Sequence, residues 1–218
     1  MKKRRPRPGK VLITSGVVLL LAALLLACYN VWDSRRAAEF AQTAAADLTE
    51  DIREVQKAND QLAKSARTEE NREFIPDYQL DPTRDMPSEE IDGVAYVGLL
   101  EIPALELSLP VIDQWSYPGL RLSSCRYTGT AYLPGFVIAA HNYERHFGHI
   151  KDLSQGDAVV YTDMSGNVFT YTVVGIEVLA PTDIETMVSD EWDLTLFTCT
   201  LSGRARVSVR CIRASDGD

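Results

Sequence analysis

The sequence is poor in residues that bind metal ions. Only three histidines and four cysteines occur in 218 residues, and no two cysteines form a C-x-x-C pair. A structural zinc site needs about four such ligands at short spacing, so none is expected. A Cys125–Cys211 disulfide would leave Cys199 free. Two buried thiols are favoured instead, because Cys211 falls on the apolar face of its predicted strand.

Acidic residues are absent before Asp33, whereas six of the 22 basic residues lie within the first ten positions. The chain nevertheless has 31 acidic residues and a net charge of −9, so the part after residue 33 is strongly acidic. This distribution argues against nucleic acid as a partner, since binding to phosphates requires a basic surface. No internal repeat or low-complexity tract is present.

Charge is also missing from residues 11–32, a run long enough to span a bilayer. The basic residues 1–10 predict a cytoplasmic tail, with the rest of the chain outside the cell. A cleaved signal peptide would have a shorter apolar core and a small-x-small cleavage site. The stretch before Cys28 is similar to a lipoprotein cleavage box, which would make Cys28 a lipidation site. An uncleaved single-pass anchor is favoured, because apolar character continues past Cys28.

Residues 33–93 are predicted to form a helical stalk and a linker. The helix covers 34–66, and its apolar stripe indicates either a stalk or a helix packed on the following domain. The stripe is formed by Leu48, Ile52, Val55, Asn59 and Leu62. Residues 67–92 are charged, contain three prolines and show no period, which is typical of a linker.

From residue 94 to 215 the pattern predicts a mainly β domain. Short strands are separated by turns such as Gly156-Asp157 and Ser165-Gly166. Eight strands in about 120 residues favour a closed β-barrel with short helices. The predicted strands are 95–102, 105–112, 119–125, 135–140, 157–163, 168–179, 194–200 and 204–213.

The last two predicted strands bring a thiol and a guanidinium together. If Ser202-Gly203 is a two-residue hairpin loop, Cys199 lies opposite Arg206, with their Cβ atoms about 4.5–5.5 Å apart. A neighbouring cation stabilises the thiolate, which is the nucleophilic form of cysteine. The alternative is a buried cysteine near solvated arginines. Alternation predicts that Val207, Val209 and Cys211 face the core.

A nucleophilic cysteine needs a partner that accepts and donates protons, usually histidine. His141 follows the apolar stretch 137–140 and therefore lies at a strand end, where sites are commonly built. His146 and His149 lie in the loop that follows, and both are predicted to be solvated. The alternative for His141 is a hydrogen-bonded histidine without a catalytic role.

These residues resemble the sortases, the membrane-anchored cysteine transpeptidases of Gram-positive bacteria. Residues 195–199 fit the family's T-L-x-T-C strand, Ala140-His141 follows an apolar strand, and an arginine lies on the strand after the cysteine. Residues 127–130 and 147–157 add supporting matches. The resemblance covers residues 94–213 and implies a sortase-like β-barrel. Ala140 stands where the family often has glycine.

The resemblance implies that Cys199 is the nucleophile and His141 the proton donor. It assigns the family's arginine to Arg206, by the Arg-x-x-Val spacing and the hairpin pairing, with Arg204 second and Arg210 third. Thr198 and Arg204 are weaker candidates for binding substrate. The implied substrate is an LPXTG-like sorting signal, and the implied acceptor is an amine on the cell wall or a pilin. The family uses no organic cofactor, and a calcium requirement is left open.

Other functions and the subclass also stay open. A tethered β-barrel binding module without chemistry and a cysteine hydrolase that uses water are the alternatives.

No hydrophobic segment follows the last strand, unlike in many pilus-assembling sortases, and residues 180–193 are too few for a long helical insertion. Residues 76–87 leave a lid over the site possible. Arg121 and Arg126 are predicted to be solvated.

Overall fold

The computed structural model describes residues 8–69 and 75–214. A single helix, α1, runs over Pro8–Glu69 and joins the two helices expected from the sequence. No glycine or proline occurs between Gly16 and its end, so nothing in the sequence interrupts the helical hydrogen bonding. The chain forms two compact units, which meet in sequence between Arg36 and Ala37.

The first unit is an apolar helix with exposed leucine, isoleucine and valine side chains. By length and composition, it is the one helix among the described residues that can cross a membrane. The rings of Tyr29 and Trp32 lie 6.1 Å apart, and the guanidinium of Arg36 lies 5.7 Å from the Trp32 ring centre. Aromatic and basic residues at one end of an apolar helix are typical of a membrane–water interface.

The described part of the second unit contains nine strands and three short α-helices besides the end of α1. The strands are β1 Glu89–Ile91, β2 Val94–Ile102, β3 Leu107–Ile112, β4 Ser124–Thr128, β5 Phe136–Ala139, β6 Ala158–Asp163, β7 Val168–Leu179, β8 Leu194–Cys199 and β9 Arg206–Arg213. The helices are α2 Asp77–Leu80, α3 Tyr117–Leu120 and α4 Ile184–Met187, with 3-10 turns at Pro103–Leu105 and Phe147–Asp152.

Eight of the strands close into a barrel, as expected from the sequence. Their order is β2-β3-β4-β5-β8-β9-β7-β6, and β6 pairs back with β2, so this part of the sheet has no free edge. Strand β1 was not expected and extends the sheet beside β2. It falls, together with α2, within the stretch that was predicted to be a linker.

The expected strand 119–125 is wrong at its start. Residues 117–120 form α3, and β4 begins only at Ser124. Ser116 caps this helix, because its hydroxyl accepts the N–H of Gly119 at 3.0 Å. Pro118 lies in the first turn, where its missing N–H is not needed.

The barrel wall carries buried side chains on both faces. Side chains alternate along the strands, so Leu196 and Val209 enter the interior core, whereas Val137 and Phe197 belong to a second cluster outside it. Leu120 of α3 and Met187 of α4 complete this outer cluster. The wall therefore carries apolar side chains in both directions.

The four cysteines, all within the described residues, are free thiols. Cys125 belongs to the outer cluster and Cys211 to the interior core, so the barrel wall separates them. Burial raises the pKa of Cys125 to about 11 and that of Cys211 to about 12. The expectation of two buried thiols is confirmed.

The second half of α1 packs on the barrel domain. Its buried side chains recur three or four residues apart, and most are alanines, which allow a helix to approach closely. They are Ala37, Ala41, Ala44, Ala45, Leu48 and Ile52. Further along, the side-chain amide of Gln56 donates to the Gly166 carbonyl at 3.1 Å, and that of Asn59 donates to the Ser165 carbonyl at 2.9 Å. Asn59, the polar residue in the stripe predicted from the sequence, thus binds the turn between β6 and β7.

Replacing Leu48 by alanine tests this packing, with Leu62→Ala as the matched control on the same helix. Leu48 is fully buried and Leu62 is 59% exposed. We expect Leu48→Ala to lower the free energy of unfolding by about 2–5 kcal/mol, since it leaves a cavity. Leu62→Ala should change it by about 0.5 kcal/mol or less. Equal, small effects in denaturant titrations would mean that α1 is a free stalk.

Candidate active site

Three strand ends meet at one edge of the barrel. Strands β5 and β8 run parallel, with Ala139 paired to Phe197, so their C-terminal ends share an edge. Strand β9 runs antiparallel to β8 and therefore begins at that edge. His141 follows β5, Cys199 ends β8, and Arg206 begins β9. The cysteine thus lies on the middle strand, between the histidine and the arginine.

The register of the last hairpin is the one expected from the sequence. Cys199 pairs with Arg206, and paired residues project from the same face of a sheet. That face is the outer one, because Phe197, two residues before Cys199, belongs to the outer cluster. Ala139, two residues before His141, also lies in the outer cluster.

The expected two-residue loop is wrong. The strands end at Cys199 and Arg206, and residues 200–205 form a wider connection. The Thr200 N–H donates to the Ala205 carbonyl at 2.9 Å, and the Gly203 N–H donates to the Thr200 carbonyl at 2.8 Å. The Thr200 hydroxyl also accepts the Ala205 N–H at 3.2 Å, so a side chain competes with the strand ladder at this point.

Arg206 is half-buried and is held by its own loop. Its Nη1 donates to the carbonyls of Ala205 at 3.2 Å and Gly203 at 3.4 Å. Among the described residues, its side-chain hydrogen bonds come from Nη1 alone. A guanidinium has five N–H groups, so Nε and Nη2 can serve a ligand beside Cys199. Arg204 lies exposed within the loop.

Thr198, the residue before Cys199, links β8 to the end of β5. It is 4% exposed, and its hydroxyl donates to the Ala140 carbonyl at 2.8 Å. The Ala140 N–H donates in turn to the Phe197 carbonyl at 3.2 Å. The hydroxyl of Thr198 is therefore engaged in fixing the residue before His141 against the residue before Cys199.

Arg210, the third candidate arginine, is structural rather than solvated. It is 2% exposed, and Nε lies 2.5 Å from a Glu177 carboxylate oxygen. Its other nitrogens donate to the Thr195 hydroxyl at 2.9 Å and to the carbonyls of Thr186 at 2.8 Å and Met187 at 3.2 Å. The arginine thereby holds α4 over the outer face of β8 and β9. Alternation in the sequence predicted that Arg210 faces away from the core, but it did not predict that α4 covers this face.

Arg126 is likewise not solvated, whereas Arg121 is exposed as expected. The guanidinium of Arg126 lies 2.5 Å from an oxygen of Asp113 and 2.8 Å from one of Asp85. Its hydrogen bond to Asp85 lowers the pKa of that carboxyl. The segment before β1 is thereby attached to β4.

Residues 76–87 pack against the barrel. The ring of Tyr78 stacks on Tyr132 at 5.1 Å, and the Tyr132 hydroxyl donates to Asp163 at 2.8 Å. Asp163 ends β6, whereas the edge that carries Cys199 is at the start of β6. Met86 is buried in the interior core. These contacts do not support the lid that the sequence left possible.

The loop after His141 is closed on itself. The His141 carbonyl accepts the N–H of Phe147 at 3.0 Å. The Tyr143 carbonyl accepts the N–H groups of His146 at 3.0 Å and Gly148 at 2.9 Å. A Cβ at position 148 would lie 2.7 Å from the Tyr143 oxygen, so the close turn requires glycine there.

His146 and His149 were both predicted to be solvated, but only His149 is. His149 is exposed, with Nδ1 2.9 Å from an Asp152 carboxylate oxygen. His146 is only 1% exposed, and among the described residues neither ring nitrogen makes a hydrogen bond of good geometry. Burial lowers the pKa of His146 to about 4, with a smaller contribution from His141, and the backbone of Ala37 opposes the decrease. The position of His146 in the sequence did not indicate that it would be buried.

The described residues contain no group of three or more His, Cys, Asp or Glu side chains arranged to hold a metal ion. The edge carries Cys199, His141 and Arg206. A thiol, an imidazole and a guanidinium on adjacent strand ends supply a nucleophile, a proton carrier and a donor for developing negative charge.

Solved structures of similar fold include several sortases. The crystal structure of sortase C1 from Streptococcus suis is 28% identical, with a TM-score of 0.50 over 56% of this chain and 74% of that one. Sortase C1 from Streptococcus agalactiae is 20% identical, with a TM-score of 0.55 over 80% of this chain and 100% of that one. The Streptococcus pneumoniae sortase C structure is 21% identical, with a TM-score of 0.55 over 79% and 97%.

Among curated proteins, no sequence matches the chain. The model of the Sortase domain matches residues 100–214, more than half of the chain. That range contains every strand of the barrel except the beginning of β2, and it includes the three strand ends described above. The chain belongs to the sortase family.

Proposed function

We propose that this chain is a transpeptidase that cleaves an LPXTG-like sorting signal through a thioester on Cys199. The acyl group then passes to an amine of the cell wall or of a pilin. The observation that carries this proposal is the position of Cys199 between His141 and Arg206 on adjacent strand ends. Membership of the sortase family supports transpeptidase chemistry in general.

In the first half-reaction the Cys199 thiolate attacks the carbonyl carbon of the scissile peptide bond. Negative charge develops on the carbonyl oxygen, and the free N–H groups of Arg206 stabilise it. His141, as imidazolium, gives its proton to the departing amine as the carbon–nitrogen bond breaks. The products are a thioester on Cys199 and a peptide with a new amino terminus.

In the second half-reaction an acceptor amine attacks the thioester carbon. His141, now neutral, takes the proton that the amine loses as the new peptide bond forms. The Cys199 thiolate and the His141 imidazolium are thereby restored. If water attacks instead, the same residues perform hydrolysis, so a hydrolase and a transpeptidase differ only in the acceptor.

Aromatic side chains near the site support an apolar peptide as the substrate. Phe197 lies on the face of Cys199, and its ring is 5.2 Å from that of Tyr127. Tyr127 contacts Trp115 at 5.8 Å, and Trp115 contacts Tyr117 at 5.1 Å. Trp115 is 38% exposed and Tyr117 is 72% exposed, so this row ends in rings that can pack on a bound peptide.

The N-terminal apolar helix supports membrane attachment. We propose that residues 1–10 lie in the cytoplasm and that the barrel faces the cell exterior, because basic residues flank the apolar run on its N-terminal side.

The structure of Streptococcus pneumoniae sortase C provides insights into the pilin substrate specificity of that enzyme. A lysine of a pilin and an amine of the cell wall are both acceptors consistent with our proposal.

The roles of the arginines can be separated by mutation. We expect Arg206→Ala to lower kcat/KM by about 10²–10³-fold, because it removes the donor that stabilises the developing oxyanion. Arg204→Ala, nearby in the loop and exposed, should change kcat/KM by less than about threefold. Rates would be measured with a quenched LPXTG-type peptide and an added amine. The opposite order of effects would contradict the assignment of Arg206.

The nucleophile is tested by Cys199→Ala, with Cys28→Ser as the control. Cys199→Ala should abolish signal cleavage, since no other group in the mechanism can form the thioester. Cys28 lies in the apolar helix, and its replacement should leave the rate unchanged. Circular dichroism and thermal unfolding would establish that both variants are folded. Full activity in folded Cys199→Ala would exclude the proposed chemistry.

A further inference from the structure

Three aromatic rings form a row that leads from the site to the protein interior. The rings of His141 and Tyr143 have centroids 4.9 Å apart and planes inclined by 37°. The rings of Tyr143 and His146 lie 5.4 Å apart and are inclined by 48°. His141 and Tyr143 are half-buried, whereas His146 is 1% exposed. Tyr143 therefore has the candidate proton donor on one side and a buried imidazole on the other.

The backbone fixes the positions from which these rings project. The hydrogen bond from the Phe147 N–H to the His141 carbonyl closes the turn, and the Tyr143 carbonyl accepts two further N–H groups. Gly148 allows this close approach. With the backbone held in this way, the remaining freedom of His141 and Tyr143 lies in their side-chain torsions. Those torsions are restricted by what the rings contact.

His146 is almost fully buried, and its contacts include the backbone of Ala37 on α1. Neither ring nitrogen makes a hydrogen bond of good geometry among the described residues. A buried polar side chain that is bonded so weakly in a folded protein calls for an explanation. Because burial lowers the pKa of His146 to about 4, the ring is neutral near pH 7. A neutral ring does not repel a positive charge on His141, as a second imidazolium would.

We propose that His146 is a positioning residue, which holds the Tyr143 ring against His141 and thereby orients the His141 imidazole toward Cys199. This inference rests on the proposed role of His141 in the transpeptidase reaction. His146 itself touches neither substrate nor the reacting atoms. Its ring is the buried inner end of the row and lies next to Tyr143, whose ring lies next to that of His141.

The test compares His146→Ala with His146→Phe in the full chain in detergent micelles. Alanine removes the ring, whereas phenylalanine keeps an aromatic ring without the nitrogens. We expect His146→Ala to lower kcat by about 10–100-fold, the range expected when a reacting group is misplaced by about 1 Å, with KM changed by less than about threefold. His146→Phe should retain kcat within about threefold. The exposed His149→Ala is the matched control and should behave like the wild type.

A second readout reports on His141 directly. In protein labelled with ¹³C at histidine rings, the His141 signal should be sharp in the wild type and in His146→Phe. It should broaden or divide in His146→Ala, because the imidazole then samples several orientations. The His141 signal is assigned from its loss in His141→Gln. If His146→Ala does not unfold cooperatively, His146→Leu, which fills the space without an aromatic face, replaces it.

Two results would overturn the inference. Equal loss of kcat in His146→Phe and His146→Ala would show that the ring nitrogens, and not the shape of the ring, are required. An unchanged His141 signal in a slow His146→Ala variant would show that the effect of the substitution does not pass through His141. If the wild type cleaves no sorting signal, the proposed function fails, but the His141 signals still decide whether His146 orients that ring.

Discussion

The arrangement of the site depends on one constraint, the register of β5, β8 and β9. Parallel pairing of β5 with β8 and antiparallel pairing of β8 with β9 bring His141, Cys199 and Arg206 to the same edge. A slip of one residue in either ladder would turn one of these side chains to the opposite face of the wall. The closed barrel prevents such a slip, because every ladder is held by the next one around the ring.

The outer face of the barrel wall also carries buried side chains with well-defined partners. Arg210 is buried under α4 and holds it by hydrogen bonds to two backbone carbonyls, while its charge is paired with Glu177. A buried arginine is costly unless it is paired and hydrogen-bonded in this way. The segment between β7 and β8 is thereby fixed on the face that carries Cys199, and α1 packs on the same domain. The site lies among ordered elements rather than on a free loop.

Much of this could be predicted from the sequence, and the exceptions share a physical cause. Alternation along residues 194–213 predicted both faces of the hairpin, because the strand period is a local property. The pairing of Cys199 with Arg206 was predicted from an assumed Ser202-Gly203 turn, and it holds although the loop is wider. The burial of His146 and Arg210 and the ion pairs of Arg126 depend on elements distant in sequence, which no local pattern reports. Similarly, residues 119–120 were expected to begin a strand, but they are the end of α3.

The central claim is that Cys199 forms a thioester which an amine resolves. Its most direct test is the intact mass of the full chain, recorded after mixing with an LPXTG-type peptide, with and without an added amine. We predict an adduct whose mass equals the acyl part of the signal, located at Cys199 and lost when the amine yields a ligated product. Signal cleavage without any adduct and without ligated product would contradict the account.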